Sequence, residues 1–230
     1  MCTVTGDDWG NGAISREQAD AYASRIPHVT ATERGTIARD LVLFPAACQV
    51  RGVFFEGLSR VVARDRSTTM NDLFAQAGVS PRKVAFSLYP HRDFYRLYFL
   101  AARALYPRSP LGTALSQVSQ TFYPIFRESV VGRTMSAFIG DDPTTLLTRL
   151  SEAYKLSVPW NEHRVQSSNA GELTWRCKVE PSSFYREIFT GIVTGATTSH
   201  GRAAPRVEVD STKIEGNAGH HTFRIRWEAK

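Results

Sequence analysis

Cysteine is scarce in this chain. Cys2, Cys48 and Cys177 are odd in number and far apart, with no CxxC pair. That excludes a disulfide framework and predicts reduced thiols. Long apolar runs are also missing, since nothing approaches the ~20 residues needed to cross a bilayer. The opening MCTVTGDDWGNG lacks the basic and apolar regions of a signal peptide. Together these absences predict a soluble, cytoplasmic chain with no membrane insertion. There is no GxSxG elbow, P-loop, GxGxxG fingerprint or HExxH zinc motif. The histidines never fall four apart on one helix, and surface or capping roles are expected for all of them: His28, His91, His163, His200, His220 and His221. Neither internal repeats nor low-complexity segments are present.

What is there suits a globular fold. The chain has 230 residues, 42% of them hydrophobic, enough to bury roughly 70% of the surface exposed when unfolded. The net charge of +6 is scattered, which predicts a solvated basic surface rather than a nucleic-acid interface.

The first half reads as helical. Ser15-Arg-Glu-Gln18 has capping-box spacing and predicts a short helix to about Arg25. Residues 28–50 contain the breakers Gly35 and Pro45, and Arg39–Phe44 reads as helix or strand. From Val50, VRGVFFEGLSRVV carries a helical apolar stripe, and TMNDLFAQAG predicts a helix stopping at Gly78. Phe94, Leu97, Tyr98, Ala101 and Leu105 mark one buried face of the next helix. Ser109-Pro110 and Asp142-Pro143 each read as an N-cap followed by a first-turn proline. The first of these helices is expected to hold Leu111 to Phe122, with another following Pro124 and ending near Gly140.

After Tyr154 the apolar period changes from helical to alternating. KLSVPW, HRVQSS, LTWRCKV, RVEVDSTKIE and HTFRIRW read as strands. In the third, Leu173, Trp175, Cys177 and Val179 share one face. Between the third and fourth, Ser182 and Ser183 are expected to cap a helix with Phe184, Ile188 and Ile192 on one stripe. Gly191 and Gly195 predict close packing of that helix against the sheet. The fold class is therefore α+β, a helical N-terminal half followed by an antiparallel sheet in a β-β-α-β-β module. Residues 1–49 read as an N-terminal extension and 50–230 as the domain.

The segments VRGVFFEGL, YPIFRESVVGR, AYKLSV and VEV…RW resemble a myxobacterial family of paralogues of unknown function. Beyond it, the order of elements is similar to the haem–nitric oxide/oxygen binding (H-NOX) domain and its kin, the vinyl-reductase-type domains and the Bet-type subunits of vesicle-tethering complexes. The resemblance places Tyr154 where H-NOX domains keep the histidine that binds haem iron. It places Val179, Pro181 and Ser183 where they keep the Tyr-x-Ser-x-Arg motif that holds the propionates. Without that arginine the propionates lose their bidentate, charge-assisted partner, so the resemblance implies a pocket without haem.

The expected function is a non-catalytic sensor or binding module, H-NOX-like, with no cofactor and no metal. Its partner is expected to be a small apolar ligand or a protein, with a homodimer as a further possibility. Candidate pocket residues are Tyr95, Phe99, Tyr154, Trp160, Trp175 and Cys177. Tyr154 reads as a packed ring with a hydrogen-bonded hydroxyl, and Cys177 as a small core hydrophobe whose pKa burial raises. The alternative is a scaffold acting by dimerisation, its pocket filled by side chains, and behind it stands a haem-binding gas sensor with Tyr154 as the iron ligand. Outward-facing Arg176, Lys178, Arg224 and Arg226 are basic, but Glu208 and Asp210 are placed to pair across the strands.

Overall fold

The computed structural model describes residues 13–65, 68–128, 142–169 and 171–228. Among them are eight helices and two antiparallel sheets. The chain divides into two compact units, Met1–Ala114 and Leu115–Lys230. The expected helix end near Gly140, the VVGR segment and Cys2 lie outside the described residues.

Unit 1 opens with α1 (Arg16–Arg25) and α2 (Ala31–Leu43), and each starts with a full capping box, from Ser15 to Gln18 and from Thr30 to Glu33. The ambiguous Arg39–Phe44 stretch is thus helical, and Gly35 does not break α2. Strand β1 (Gln49–Arg51) pairs with β2 (Leu88–Pro90). Val50 therefore belongs to a strand, not to the helical stripe, and α3 begins at Val53 (Val53–Val62). Helix α4 (Met70–Ala77) stops at Gly78, whose φ of 63° puts it in the left-handed region that glycine tolerates.

Helix α5 (His91–Leu105) departs from the one-face expectation. Phe94, Leu97, Tyr98 and Ala101 are buried as expected, but so are Arg92, Arg96 and Arg103. Each guanidinium is held by backbone carbonyls. Arg92 donates to Phe44 O, at the C-cap of α2, and Arg96 donates to Ala77 O, at the end of α4. Those carbonyls are the electron-rich helix ends that lack intrahelical donors, so the cations neutralise them where water is excluded. Arg103 donates to Ser109 O and to Glu33 Oε1.

Glu33 is a junction of three elements. Its carboxylate accepts from Thr30 N–H at 2.8 Å, from Leu111 N–H at 2.7 Å and from Arg103 at 3.2 Å. Partial burial opposes ionisation, but these donors hold the carboxyl below its ordinary pKa. The next helix, α6 (Leu111–Glu128), begins one residue after Pro110. Ser109 is therefore too early to be its cap, and Glu33 serves Leu111 instead. Glu33→Ala is expected to cost roughly 2 kcal/mol in urea denaturation, by losing a cap and stranding a buried guanidinium. Glu33→Gln, whose amide oxygen still accepts, should cost less.

A turn at 84–87 is built onto the start of α3. Gly52 N–H donates to Ser87 O at 2.9 Å, Val53 N–H to Ala85 O at 2.8 Å and Arg51 Nη1 to Phe86 O at 2.6 Å. A Cβ on Gly52 would collide with Val84 O. Every carbonyl from Ala85 to Ser87 is thus tied down, while Val84, Phe86 and Leu88 stay 65%, 72% and 41% exposed.

In unit 2, α6 continues through Pro124 to Glu128 as one helix. Proline lacks the N–H that would bond Gln120 O. Helix α7 (Pro143–Ser157) has Asp142 accepting from Thr145 N–H and Pro143 in its first turn, as expected. It also runs past Tyr154, whose carbonyl accepts from Val158 N–H at 2.8 Å. KLSVPW is therefore helix end and turn, not a strand, because one further turn of backbone bonding continues to Ser157.

The four-stranded sheet has the order β3-β4-β6-β5, from β3 (Glu162–Asn169), β4 (Glu172–Val179), β5 (Arg206–Glu215) and β6 (Ala218–Arg226). Helix α8 (Tyr185–Thr198) lies between β4 and β5 in sequence. Its N-cap is Phe184 rather than Ser182 or Ser183, although Ser182 Oγ accepts from Phe184 N–H. Tyr185, Phe189 and Val193 turn to the sheet, joining Leu173, Trp175, Phe223 and Ile225 in one core. Phe184 and Ile192 are only half-buried. The glycines face α6 instead of the sheet, where side chains at 191 and 195 would strike Ser116 O and Gln120 O. On the outer face Arg224 pairs with Asp210 at 2.9 Å, and Arg226 bridges Glu172 and Glu208. No helix among the described residues is long and apolar enough to cross a membrane.

Candidate functional site

The inner face of the sheet changes character along its strands. One end is the aromatic and aliphatic core just described. Toward the other, the register sets His163 of β3, Cys177 of β4, His221 of β6 and Thr212 of β5 side by side in one row. Alternation explains the first three, which share the phase of Trp175 and Phe223. Thr212 arrives by a bulge between Val209 and Ser211, where β5 shifts by one residue against β6. Directly opposed residues on adjacent strands stand about 5 Å apart, so the row is a continuous polar seam.

His163 is 1% exposed. Its Nδ1 accepts from Trp175 Nε1–H at 3.1 Å. Indole can only donate, so the neutral ring carries its proton on Nε2. That Nε2–H is buried and meets no acceptor among the described residues. Burial pushes the His163 pKa down to about 4, with Glu180 pulling weakly the other way.

His221 has Nδ1 3.1 Å from Thr212 Oγ1 and stacks on Tyr185 with ring centroids 4.9 Å apart. Its Nε2 is likewise buried and unmatched among the described residues, and burial lowers its pKa. Beside the row, Asn161 donates through Nδ2 to buried Glu180 at 3.2 Å, leaving its own Oδ1 buried without a donor among the described residues. Each unmet polar atom costs about 1–3 kcal/mol in desolvation. Three of them sit at one end of a single sheet face, as one donor, one acceptor and one imidazole nitrogen able to serve either way.

The expected pocket residues are distributed over both units. Tyr95 and Phe99 are buried on α5 in unit 1, ring to ring at 5.7 Å. In unit 2, the half-buried Tyr154 ring lies 5.3 Å from His163, which in turn meets Trp175 edge-on at 5.8 Å. Cys177 hydrogen-bonds Tyr185, and burial pushes its thiol up to about 12, so it is no nucleophile. Trp160 stands beside Lys178, whose ammonium is 5.7 Å from the indole. Lys178 alternates away from Cys177, so Trp160 serves the opposite face. The expectation that all histidines are surface or capping groups is corrected for His91, His163 and His221, which are buried. His163 and His221 are the candidate site residues that sequence reasoning missed. His221 was findable, since it stands two residues before the inward Phe223.

At the positions where the resemblance puts propionate contacts, Val179 and Pro181 are buried and Ser183 is exposed. None of the three carries a charge.

A family model described as a protein of unknown function (DUF2378) matches residues 46–228. No curated protein matches the chain. Among solved structures it is similar to a triple mutant of an H-NOX protein from S. oneidensis in the Fe(II) ligation state. Identity there is 17% and the TM-score 0.61, covering 78% of this chain and 97% of that one. It is also similar to an oxygen-binding H-NOX domain related to soluble guanylate cyclases, at 12% identity and TM-score 0.59, covering 77% and 92%. A third is an Fe(II) unliganded H-NOX point mutant from K. algicida, at 14% identity and TM-score 0.56, covering 78% and 97%. At these identities the likeness establishes an H-NOX-like fold.

Proposed function

The chain belongs to the DUF2378 family of proteins of unknown function, and from that premise we propose that it is a non-catalytic, haem-free binding module or sensor of H-NOX-like build. The polar seam carries the reading. Among the described residues, His163 Nε2–H, Asn161 Oδ1 and His221 Nε2 are unmet hydrogen-bonding atoms beside an aromatic wall of Trp175, Tyr185 and Phe223. A small, largely apolar ligand with one polar end that accepts from His163 complements that arrangement.

Haem does not fit these residues. Tyr154 offers a phenol at the iron-binding position, but Val179, Pro181 and Ser183 supply no cation for the propionates, and a ligand without its supporting shell is a poor anchor. The protonated Cys177 thiol gives the seam no nucleophile, which supports binding rather than catalysis.

A second reading, a scaffold that docks a protein or a second copy, is favoured by the rigid apolar turn at Val84, Phe86 and Leu88 and by Trp175, packed to 0% exposure. One preparation tests both. Purified full-length chain is expected to carry a small molecule detectable by native mass spectrometry and depleted in His163→Gln, which retains an acceptor for Trp175. Addition of haemin should produce no ordered Soret band. A Soret band that responds to nitric oxide would defeat the haem-free reading. A bare protein whose concentration-dependent dimer disappears in Phe86→Asp sedimentation would move the weight to the scaffold.

A further inference from the structure

Unit 1 holds a second cysteine in a very different setting from Cys177. Cys48 Sγ lies 3.4 Å from His91 Nδ1, and both residues are buried, at 1% and 4% exposure. The pairing is built into the backbone, because His91 N–H donates to Cys48 O at 2.9 Å. His91 is also the first residue of the 15-residue α5, so the sulfur sits by the positive end of that helix. The Arg92 guanidinium, bonded to Phe44 O, interacts electrostatically with Cys48. Around the imidazole stand the rings of Tyr95 at 5.1 Å, Phe44 at 5.8 Å and Phe94 at 6.0 Å.

Thiol and imidazole together suggest either a soft metal ion or a reactive thiolate. The surroundings within unit 1 favour the second. Burial opposes charge on the Cys48 sulfur as it does at Cys177, but here a helix N-terminus, an arginine and a hydrogen-bonding imidazole all favour negative charge on it. The aromatic cage and the burial restrict access to small, uncharged reagents.

We propose that Cys48 and His91 form a peroxide-sensing dyad in which the Cys48 thiolate is the site of oxidation. The sulfur attacks one peroxide oxygen, forming an S–O bond as the O–O bond breaks. Cysteine is oxidised by two electrons to the sulfenic acid, and the peroxide is reduced. The departing hydroxide takes the proton held by His91 and leaves as water. The product places a polar sulfenic acid among Phe44, Phe94 and Tyr95, a change in packing that a sensor can transmit.

Cys177 supplies an internal control, being buried but protonated. In a Cys2→Ser background, full-length protein exposed to hydrogen peroxide, cleared of it with catalase and then unfolded into dimedone, which traps the sulfenic acid once the cage is open, should show Cys48 oxidised roughly 10-fold or more faster than Cys177, read by peptide mass. His91→Gln, with circular dichroism and melting unchanged, should slow Cys48 labelling by about 10-fold or more. Equal labelling of the two cysteines overturns the proposal, as does a folded His91→Gln protein that reacts at the original rate. If His91→Gln does not fold, the Cys48 to Cys177 ratio in the parent protein decides alone. Either outcome leaves the ligand reading standing, since the seam contains neither Cys48 nor His91.

Discussion

Gly195→Ala is expected to cost unit 2 about 3 kcal/mol or more in chemical denaturation, and Gly195→Val to prevent its cooperative folding. The obstacle is backbone, not a side chain that can rotate away: a Cβ at 195 would overlap the carbonyl of Gln120 on α6. That carbonyl is the one whose helical donor is missing because Pro124 has no N–H. The approach of Gly195 places Cα–H groups against it, a contact type that recurs where helices pack closely. One helical turn earlier, Gly191 stands in the same relation to Ser116 O. Gly35 is the control. It lies within α2 with nothing near its absent Cβ, so Gly35→Ala should stabilise by roughly 0.5–1 kcal/mol through helix propensity. A Gly195→Ala protein as stable as the parent would show that α6 and α8 do not meet on this face.

Acidification should destabilise the protein through His163 in a defined window. The group's ordinary pKa is 6.5, and burial lowers it to about 4 in the folded state. Above pH 6.5 neither folded nor unfolded chain protonates the ring, so it contributes no pH dependence. As the pH falls below 6.5 the unfolded chain takes up a proton that the folded chain refuses. Stability is therefore lost progressively until the pH nears 4, where the folded ring protonates too and the loss levels off. The interval corresponds to a loss on the order of 3 kcal/mol. Carboxylates also titrate at the acidic end, so the informative quantity is the difference between parent and His163→Gln stability curves from urea titrations at several pH values. That difference should open between pH 6.5 and 4. A flat difference would mean that His163 is hydrated or ion-paired in the native protein.

The helices are legible where their signals are local. Ser15 with Gln18, and Asp142 with Pro143, mark helix starts that the structure keeps, because a cap needs only its own first turn. Signals that depend on a neighbour mislead. Pro124 reads as a boundary, yet the helix continues because Gly195 of another helix covers the carbonyl that proline leaves bare. Arg92, Arg96 and Arg103 are solvent-facing by charge alone, and are buried because the ends of α2 and α4, Ser109 O and Glu33 accept their hydrogen bonds. KLSVPW alternates convincingly, but the hydrogen bond from Val158 to Tyr154 keeps that backbone helical through Ser157.

By itself the amino-acid order determined the alternating strands, the inward phase of Trp175, Cys177 and Phe223, and the capped helices. These follow from side-chain period and near-neighbour bonding, which a linear chain displays openly. Only the tertiary structure decided that His163, Cys177, His221 and Thr212 share one row, and that Cys48 meets His91 across 43 positions of sequence. Strand register, a single-residue bulge and burial are set by pairing between distant segments, and it is burial that turns ordinary imidazoles and thiols into groups with distinct chemistry.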